Sequence, residues 1–529
     1  MTEQISLQEL PFTPSLLKNL LGQDDKLRPF VSAFLSEESL VKAAKSRRFD
    51  PEIRKDLVDT ITQQYSMPNE VEQHLLDRLS NPGTVTVTTG HQLNIFSGPA
   101  FFVYKLAHAV VAAKELAKKD GAPDVVPIYW MASEDHDFEE IASVRSFRQK
   151  FDWDRDAKGA VGHLSTEGLS DIADAWCAHM GWSSTSAMAQ LFKSYAKAEN
   201  LAAATRLLVR ELFEETPILV LDADDPRLKR RFLAVMKEEI LNGVAERAVT
   251  ESSIKLKELG YGLQVSPRDI NLFYLDDGQR WRVTRSDHRI ETADPHKSWT
   301  SEEMLEEMES HPEKFSPNVI LRPVYQEVIL PNIAYIGGPG ETSYWLQLKS
   351  LFDALDIPYP ILLPRNGAIV LSAKAKKLWD KIGLKVDDLN KDQERIKHSW
   401  SLRHFKSPEE LESLKKEYEV LAARLEQYMS ETDHRLAKQA KAVHARQVND
   451  LAKAEKSVLR QWKRQERVNF SRIEKVHAEI FPGGTFQERR INYFALEQWL
   501  GDHLLSKLIE SFPPFTPSLL ILSEQNQED

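Results

Sequence analysis

The longest segment without a helix-breaking residue lies in the last third of the chain and strongly constrains the fold. From Glu409 to Phe481 the sequence contains neither glycine nor proline, the residues that most often interrupt helices. Apolar side chains recur there at alternating spacings of three and four residues, a heptad pattern: Leu411, Leu414, Tyr418, Leu421, Leu425 and Tyr428. We predict that residues 386–481 form an antiparallel coiled coil, with its turn at Ser430–His434 or at Val448–Leu451.

Charge is distributed unevenly along the chain. The formal net charge is −11, which argues against a general nucleic-acid-binding protein, because attraction to phosphates requires a basic surface. Between His434 and Lys475, however, Lys and Arg outnumber Asp and Glu by twelve to four. We interpret this basic stretch as a solvated face that pairs with the acidic helix Glu409–Glu431. A non-enzymatic scaffold, in which the coiled coil binds a partner or nucleic acid, is the alternative.

The first two thirds of the chain alternate short apolar strands with amphipathic helices. The predicted strands are 84–89, 125–130, 217–222, 332–336 and 359–363, and the clearest helices are 99–119 and 341–355. Strands that alternate with helices form a parallel sheet, which binds ligands beyond the carboxyl ends of its strands. We predict an α/β core from residues 1–150, 214–242 and 317–385, and expect the C-terminal segment 482–529 to pack back on it.

Two segments interrupt this alternation and are predicted to be insertions into the sheet domain. Residues 151–213 are expected to be mostly helical. Residues 243–316 are expected to mix helix and strand, with strands at Gly262–Val265 and Asn271–Leu275. Asp277–Gly278 is typical of a tight hairpin turn.

Composition restricts the class of protein further. The sequence shows no apolar stretch long enough to cross a bilayer and no secretory signal, so a cytoplasmic location is expected. Cys177 is the only cysteine, which excludes an intramolecular disulfide or a cysteine-rich zinc site. We expect Cys177 to be a small buried hydrophobe, and we expect no structural metal.

Two predicted strands end in residues that can carry chemistry at one edge of the sheet. Gly90, His91 and Gln92 follow the first strand and precede a helix, where backbone amides and the helix dipole favour a phosphate. A run of acidic residues beside a histidine follows the second: Glu134, Asp135, His136 and Asp137. This run could hold Mg²⁺, act as a general base or bind an amine. A capped structural histidine and an acidic helix start are the alternatives.

A glycine-rich turn follows a third strand and precedes a helix, with Gly337, Gly338, Gly340 and Glu341. Its amides can cradle a phosphate or a carboxylate, although it lacks the lysine and hydroxyl of a Walker A loop. Polar side chains that could bind an anionic substrate are Arg322, Gln326, Tyr344 and Arg365. Beyond the long helices a Gly-Gly pair acts as a helix stop and leaves Gln487, Glu488 and Arg489 without a structural explanation.

These motifs, taken in order, resemble the cysteine ligase family of bacillithiol biosynthesis, the BshC family. The motifs that carry the resemblance are Thr89–Gln92 with Phe96–Pro99, Trp130–Phe138, Leu321–Pro323, Ala334–Glu341 and Gln487–Arg489. The resemblance runs from end to end of the chain. It implies a Rossmann-like core similar to class I nucleotidyltransferases, a C-terminal helical coiled coil and a homodimer. It also implies that cysteine is added to the amino group of glucosaminyl malate, with ATP use inferred from the fold.

The chemistry expected from this resemblance is amide formation through an activated carboxylate. ATP with Mg²⁺ would activate cysteine, and phosphate charge would be neutralised by Gly90–Gln92 and the 337–341 loop. A group within Glu134–Asp137 would orient or deprotonate the sugar amine. The two malate carboxylates would be bound by the guanidinium groups of Arg322, Arg365 or Arg489. The other predicted substrate-binding residues are Gln326, Tyr344 and Gln487.

Two other interpretations use the same residues. A metal-assisted hydrolase or amidase would use the acidic run and a divalent metal without a nucleotide. Zinc capture of the cysteine thiol by His91 and His136 is less favoured, because no second soft ligand lies near them in the sequence.

Overall fold

The computed structural model describes residues 3–286, 289–293, 297–405, 408–433, 435–501 and 503–523. Within these residues the chain forms two compact units. The first contains Thr13–Val370, the segment before Leu10 and the chain from Gln487 onward. The second contains Leu10–Phe12 and the described part of Leu371–Phe486.

Strands and helices are numbered along the described chain. The strands are β1 (Glu3–Ser6), β2 (Val85–His91), β3 (Val125–Met131), β4 (Ser143–Arg145), β5 (Lys150–Asp152), β6 (Leu219–Asp222), β7 (Leu272–Asp276), β8 (Gln279–Ser286), β9 (Arg289–Thr292), β10 (Ser298–Trp299), β11 (Phe315–Pro317), β12 (Asn332–Gly337), β13 (Ile361–Pro364), β14 (Gly367–Leu371) and β15 (Ser518–Ser523). The helices are α1 (Ser15–Leu21), α2 (Glu37–Ser46), α3 (Pro51–Tyr65), α4 (Glu70–Ser80), α5 (Phe101–Ala117), α6 (Phe138–Ile141), α7 (Leu169–Met180), α8 (Ala187–Tyr195), α9 (Leu201–Leu212), α10 (Pro226–Asn242), α11 (Val244–Glu258), α12 (Ser301–Ser310), α13 (Leu321–Ile329), α14 (Pro339–Ala354), α15 (Ala373–Ile382), α16 (Gln393–His404), α17 (Pro408–Thr432), α18 (Leu436–Gln465), α19 (Arg467–Ile480), α20 (Tyr493–Leu500) and α21 (Leu504–Ser511).

Five parallel strands form the central sheet of the first unit, in the order β13-β12-β2-β3-β6. In chain order, the sheet grows outward from β2 through β3 to β6 on one side. It then continues through β12 to β13 on the other side. This is the doubly wound arrangement, whose winding reverses between β2 and β12. The predicted α/β, Rossmann-like fold with a parallel sheet is confirmed.

Strand β2 differs from an ordinary buried parallel strand because it alternates valine with threonine. Its threonines are buried but have hydrogen-bond partners in β12. Thr88 Oγ1 donates to Asn332 Oδ1 at 2.9 Å, and Thr89 Oγ1 donates to the carbonyl oxygen of Ile336 at 2.8 Å. These bonds join the two strands directly beside the reversal of winding.

Helix α5 follows β2 and packs against β2 and β3. It carries two buried basic side chains, Lys105 and His108. Both ring nitrogens of His108 meet backbone groups: the Asn366 amide donates to Nδ1 at 3.1 Å, and Nε2 lies 3.0 Å from the Pro514 carbonyl oxygen. Burial lowers the pKa of His108 to about 4. The imidazole is therefore neutral at physiological pH and acts as a structural crosslink.

The elements predicted for the two insertions agree with the structure to different extents. The segment expected to be helical contains α7, α8 and α9. The predicted hairpin is confirmed as β7 and β8, and its turn residues Asp277 and Gly278 have φ of 49° and 69°, as a two-residue turn of this kind requires. The strand predicted at Gly262–Val265 is wrong, because Gln347 Oε1 accepts from the amides of Gln264 and Val265 at 2.8 and 3.2 Å and holds the segment as a loop.

Three further sheets complete the described part of the first unit, one of which is the two-stranded antiparallel sheet β4-β5. Strands β7 to β11 form an antiparallel sheet in the order β10-β9-β8-β7-β11. Strand β15 pairs antiparallel with β1 in the sheet β1-β15-β14, so the described C-terminal strand joins the described N-terminal one. Asp502 and residues 524–529 of the predicted C-terminal segment lie outside the described residues.

The second unit contains α15 to α19, of which α17 and α18 form the predicted helical hairpin. The two helices are separated by residues 433–435, which overlap the first predicted turn segment, Ser430–His434; His434 itself lies outside the described residues. Ion pairs Lys415–Glu455 at 2.9 Å and Lys441–Glu426 at 3.6 Å connect the two helices. The basic helix therefore pairs in part with the acidic one. No helix of the described chain is long and apolar enough to span a membrane.

Four of the six residues of the heptad pattern on α17 are exposed, whereas the Tyr418 ring contacts His444 of α18 at a centroid distance of 6.2 Å. Leu414, Leu421 and Tyr428 are 56%, 59% and 69% exposed, whereas Ala422 of α17 and Ala440 of α18 are buried. Small side chains allow the two helices to pack closely along that face. Most of the heptad seam consequently remains an exposed apolar stripe.

Candidate active site

A cavity of about 590 Å³ opens beyond the carboxyl ends of β2 and β12, where the winding of the sheet reverses. Ligands of doubly wound sheets bind at this position. The predicted site residues that line the cavity are Gly90, His91, Gln92, Asp135, His136, Arg322, Gln326, Gly338, Gly340, Glu341, Tyr344, Arg365 and Arg489.

A buried lysine that the sequence analysis did not single out joins the two strand ends. Lys105 of α5 has a side chain that is only 1% exposed. Its Nζ donates to both carboxylate oxygens of Glu341 at 2.8 Å and to the carbonyl oxygen of Gly90. Glu341 also accepts from the Gly338 amide at 2.8 Å and from the Tyr335 hydroxyl at 3.0 Å. We call these five residues the strand-end clamp.

Within the clamp, the Glu341 carboxylate has a structural role, because it accepts hydrogen bonds from three of the other clamp residues. Burial alone would raise the pKa of Glu341, but Lys105 and the Gly338 amide hold it below its ordinary value. Burial lowers the pKa of Lys105, and Glu341 opposes that change. Because four hydrogen bonds already occupy the carboxylate, the structure does not support the predicted contact of Glu341 with a nucleotide. The sequence did contain a sign of this role, since Lys105 is a charged residue within an otherwise apolar stretch of α5.

His91 ends β2 with its ring against Phe101 and Phe102, at centroid distances of 4.9 and 5.3 Å. Burial and then the charge of Lys105 lower the pKa of His91 to about 3, so the imidazole is neutral. Asn94 Nδ2 lies 3.2 Å from Nε2 of His91. An amide nitrogen only donates, so Nε2 accepts and Nδ1 carries the proton. His91 can therefore donate one hydrogen bond to an anion without being a cation.

Glycines leave space in the cavity wall beside this histidine. A Cβ atom built on Gly340 would meet nothing within 4 Å, and one on Gly90 would meet nothing closer than the Tyr335 hydroxyl at 3.6 Å. Neither glycine has a positive φ, so the backbone does not require glycine at either position. The space adjoins the first turn of α14, where helix amides lack partners within the helix. Gly337, by contrast, ends β12 outside the cavity lining.

Arg365 follows β13 and places an unsatisfied donor in the cavity wall. The residue is 5% exposed, and its two terminal nitrogens bind the carboxylate of Glu488, with Nη1 3.1 Å from Oε2. Its Nε is buried without a hydrogen-bond partner and lies 3.6 Å from a Cβ built on Gly338. A buried unpaired donor costs free energy. This nitrogen is therefore positioned for an acceptor atom of a ligand.

The segment after the long helices contributes Arg489 to the cavity but not Gln487. The Arg489 guanidinium lies over the Phe101 ring at 5.9 Å, on the same ring that Arg365 approaches at 5.3 Å. Gln487 is fully buried, and its amide exchanges hydrogen bonds of 2.9 and 2.8 Å with the backbone of Val370. Its predicted contact with substrate is therefore not supported by its placement.

Asp135 follows β3 and faces two guanidinium groups. It accepts from Gln92 Nε2 at 2.7 Å and from the His136 amide at 2.9 Å. Arg322 and Arg280 lie 3.7 and 3.9 Å from its oxygens, beyond hydrogen-bond distance. Burial alone would raise the pKa of Asp135, but His136, Arg322 and Gln92 hold it well below its usual range. Asp135 is an ionised carboxylate at physiological pH.

Arg280 of β8 is buried and was not predicted. Its guanidinium carbon lies 3.8 Å from the Phe273 ring centroid. It donates to Ser316 Oγ at 3.2 Å and to the Pro317 carbonyl oxygen at 3.0 Å, and its Nη1 lies 2.9 Å from His136 Nδ1. A guanidinium only donates, so His136 Nδ1 accepts and the proton of the neutral ring is on Nε2. Burial lowers the pKa of Arg280 to about 10, so it stays protonated.

Two residues of the predicted acidic run do not line the cavity. Glu134 is buried and paired with Lys229 at 2.7 Å, and Lys229 also pairs with Asp224 at 2.5 Å. Asp137 is the N-cap of α6, where it accepts from the Glu140 amide. The predicted catalytic roles of Glu134 and Asp137 are therefore not supported by their placement.

Other lining residues come from places that the sequence did not mark. Arg268 and Asn318 line the cavity from the second insertion and from the segment before α13, and no local motif distinguishes them. Gln326, which was predicted, lines the cavity but donates to the buried Glu327 at 2.8 Å. Within the described residues, no group of three or more His, Cys, Asp or Glu side chains is placed to hold a metal ion. Cys177 is buried.

Comparison with known proteins decides the family. A model of the N-terminal Rossmann-like domain of bacillithiol biosynthesis BshC matches residues 1–366, and a model of the C-terminal coiled-coil domain of BshC matches residues 368–524. The chain belongs to the BshC family. It is 38% identical to a protein of Flavobacterium johnsoniae named "Putative cysteine ligase BshC", over 532 residues and 99% of both chains. Proteins of the same name from Christiangramia forsetii and Cytophaga hutchinsonii are 36% and 31% identical, over 99% and 97% of each chain.

The BshC domain boundary and the boundary between compact units nearly coincide. The two family models meet at residues 366–368, and the units meet at Val370 and Leu371. The region matched by the coiled-coil model also contains Arg489, which belongs to the first unit and lines its cavity. In this BshC protein the cavity therefore uses residues from both family domains.

Proposed function

We propose that this protein is a cytoplasmic enzyme that joins cysteine to the amino group of glucosaminyl malate, with ATP and Mg²⁺ activating the cysteine carboxylate. Membership of the BshC family and the ligase names of its relatives support this proposal. One observation carries it: neutral His91, glycine-walled space and the unpartnered Arg365 Nε meet at the switch point of one sheet. The cavity volume of about 590 Å³ is also typical of small-molecule sites.

The nucleotide phosphates fit the side of the cavity at the ends of β2 and β12. Gly90 and Gly340 leave room for them, and the first amides of α14 provide donors. His91 Nδ1, Arg365 Nε and the Arg489 guanidinium add donors aimed at developing negative charge. When bound, ATP supplies a leaving group for the cysteine carboxylate. The residues themselves hold the anion and exclude water from it.

The sugar amine fits beside Asp135. Because the pKa of Asp135 is held well below its usual range, this carboxylate binds and orients an amine but removes protons poorly. His136 offers a hydrogen-bond donor at Nε2, since Arg280 occupies Nδ1. Asp135 would hold the amine through its N–H groups, and His136 Nε2 would donate to a neighbouring oxygen of the sugar, which leaves the nitrogen lone pair free to attack. The proton that the amine loses would pass to solvent or to the departing phosphate group. The strand-end clamp would hold His91 and the start of α14 in place.

The test is a thiol-product assay of purified protein with cysteine, glucosaminyl malate and Mg²⁺, with and without ATP. We expect product only with ATP, and a turnover number lower by about a hundredfold or more in His91→Ala, as when one oxyanion donor is removed. The matched control is His74→Ala, which changes an exposed histidine of α4. The turnover number of this variant should equal that of the wild type. Product formed without ATP, or no product under any nucleotide and metal condition, would contradict the proposal.

A homodimer is part of the proposal, and the exposed seam of α17 supports it. Leu414, Leu421 and Tyr428 form an apolar stripe on this helix, and stripes of this kind bind other protein surfaces. Light scattering on a sizing column should give twice the chain mass for the wild type and a monomer for Leu421→Glu. A wild-type monomer at micromolar concentration would exclude the homodimer and leave the ligase proposal unchanged.

A further inference from the structure

The insertion side of the cavity is formed by Asp135, Arg268, Arg280, Asn318 and Arg322. The chemistry proposed above uses Asp135 but assigns no role to the guanidinium groups of Arg268 and Arg322. We propose that this side of the cavity is a dicarboxylate subsite, in which Arg268 and Arg322 each bind one carboxylate of the substrate and so determine specificity. This inference deepens the proposed function and rests on it for the identity of the substrate, whose malate arm carries two carboxylates.

The side-chain amides of Asn271 and Asn318 connect the backbone of Arg268 to that of Arg322 through hydrogen bonds. Asn271, which is fully buried, accepts from the Arg268 amide at 3.2 Å and donates to the Arg268 carbonyl oxygen at 2.8 Å. Asn318 Nδ2 donates to Asn271 Oδ1 at 2.8 Å, and the Arg322 amide donates to the Asn318 carbonyl oxygen at 2.9 Å. Asn318 also caps the start of α13 through the Ile320 amide at 2.9 Å. The backbones of both arginines are thereby fixed relative to each other.

Arg280 is held in the cavity wall rather than free to turn toward a ligand, because each of its three nitrogens already donates one hydrogen bond. Ser316, Pro317 and His136 occupy its three nitrogens, and its plane is packed on Phe273. It contributes fixed positive charge in the wall. A guanidinium that is buried and held by several hydrogen bonds reorganises little when an anion binds, which favours affinity.

Arg322 and Arg268 retain free donors. The nearest described carboxylate to Arg322 is that of Asp135, at 3.7 Å, which is too long for a hydrogen bond. No hydrogen bond or ion pair from the guanidinium of Arg268 occurs within the described part of the chain, and this residue is exposed at the cavity. Each free guanidinium can bind one carboxylate through two parallel hydrogen bonds.

The net charge of this side of the cavity also favours an anionic ligand. Three guanidinium groups, Arg268, Arg280 and Arg322, face two carboxylates, Asp135 and Glu140, among the lining residues. A net positive wall in a partly closed cavity attracts and orients an anionic ligand. A ligand with two carboxylates engages both free guanidinium groups, whereas a ligand with one leaves a guanidinium unused.

The test measures binding without catalysis. Calorimetric titrations would use glucosaminyl malate and its monocarboxylate analogue glucosaminyl lactate, without cysteine or nucleotide. We expect the malate compound to bind the wild type on the order of tenfold or more tightly than the lactate compound, because one charged hydrogen-bonded pair is lost. Arg268→Ala and Arg322→Ala should each remove most of that difference, and Arg322→Lys should remove part of it, since lysine keeps the charge without the bidentate geometry.

Arg489→Ala is the matched control, because Arg489 is a further cavity guanidinium on the Phe101 side. It should leave the preference for malate over lactate unchanged, and circular dichroism should show that all variants fold. Equal affinity for the two compounds, no binding of glucosaminyl malate, or loss of the preference in Arg489→Ala alone would overturn the inference. Binding as expected without product in the ligase assay would refute the proposed reaction only. Product formation with no effect of Arg268→Ala and Arg322→Ala would refute the subsite only.

Discussion

The two sides of the cavity differ in the chemical groups that they offer to a ligand. The strand-end side uses glycine-walled space, helix amides, a neutral His91 and one nitrogen of Arg365. The insertion side uses the charged side chains of Asp135, Arg280 and Arg322. Backbone amides bind an anion at short range and in a fixed position, whereas guanidinium pairs discriminate ligands by the number and spacing of their carboxylates. Activation and substrate selection should therefore be separable by mutation.

The largest effect should come from breaking the strand-end clamp. Lys105→Met leaves the partly buried Glu341 carboxylate without its ion-pair partner, and the free energy of unfolding should fall by about 3 kcal/mol. Urea unfolding measures this change. Activity should be lost even where the variant remains folded, because Gly90 and α14 are no longer held together. Lys114→Met, on an exposed face of the same helix, should change neither quantity.

A double-mutant cycle sharpens this test. Adding Glu341→Gln to Lys105→Met removes the uncompensated charge, so part of the lost stability should return. Activity should not return, because the clamp remains broken. If the two single changes were additive in stability, the buried pair would not be the interaction that holds the strand ends.

The next largest effect should distinguish the two histidines by kinetic constant. His91→Ala should lower kcat by about a hundredfold, since its donor acts on developing charge. His136→Ala should mainly raise the KM for glucosaminyl malate, because the His136 ring lies against Arg280 and within 3.6 Å of an Asp135 oxygen on the insertion side. Steady-state kinetics with each substrate varied would separate these outcomes. The same change in kcat for both variants would remove the distinction between the two sides.

Lowering the pH should decrease the free energy of unfolding, because the buried His108 of α5 is neutral in the folded protein. Burial lowers the pKa of His108 to about 4, against about 6.5 in an unfolded chain. As pH falls below about 6.5 the unfolded chain binds a proton that the folded protein does not, so the free energy of unfolding decreases until the folded pKa is reached. His108 alone should account for about 2–3 kcal/mol at pH 4.

Urea unfolding between pH 7 and pH 4.5 would measure this dependence. His108→Gln keeps one donor and one acceptor but does not titrate, so its stability should fall less steeply with acid than that of the wild type. His91, whose pKa is lowered to about 3 by burial, should add a contribution of the same sign over this range. An unchanged pH dependence in His108→Gln would show that other groups control acid stability.

The smallest expected effect on stability is also the most specific test of the glycine-walled space. Gly340→Ala meets no atom within 4 Å and lies in the first turn of α14, so the free energy of unfolding should change by less than about 1 kcal/mol. Binding of Mg-ATP should nevertheless weaken, because the added methyl group occupies the space next to the helix amides. Gly83→Ala, which also meets nothing within 4 Å but lies outside the cavity, is the control for calorimetric titration with Mg-ATP.

Local pattern was sufficient for the elements of the core. Short runs of β-branched and apolar residues bounded by turns predicted β2, β3, β6, β12 and β13 within a few residues. Buried parallel strands are mostly apolar on both faces, and β2, which alternates valine with buried threonine, is the exception. The same reasoning failed at Gly262–Val265, where the Gln347 side chain takes the backbone hydrogen bonds. It also did not show that the α17 seam faces solvent, since the heptad spacing is the same whichever surface covers it.

The sequence by itself determined which residues stand at the strand ends, because the alternation of strands and helices places His91, Asp135 and the glycines of α14 at one edge of a parallel sheet. Only the tertiary structure decided which charges remain available to a ligand. Glu341 pairs with Lys105, Glu488 pairs with Arg365, and Glu134 pairs with Lys229. The physical reason is that each ion pair forms between segments distant in sequence, and a buried charge must find whichever partner the fold brings to it.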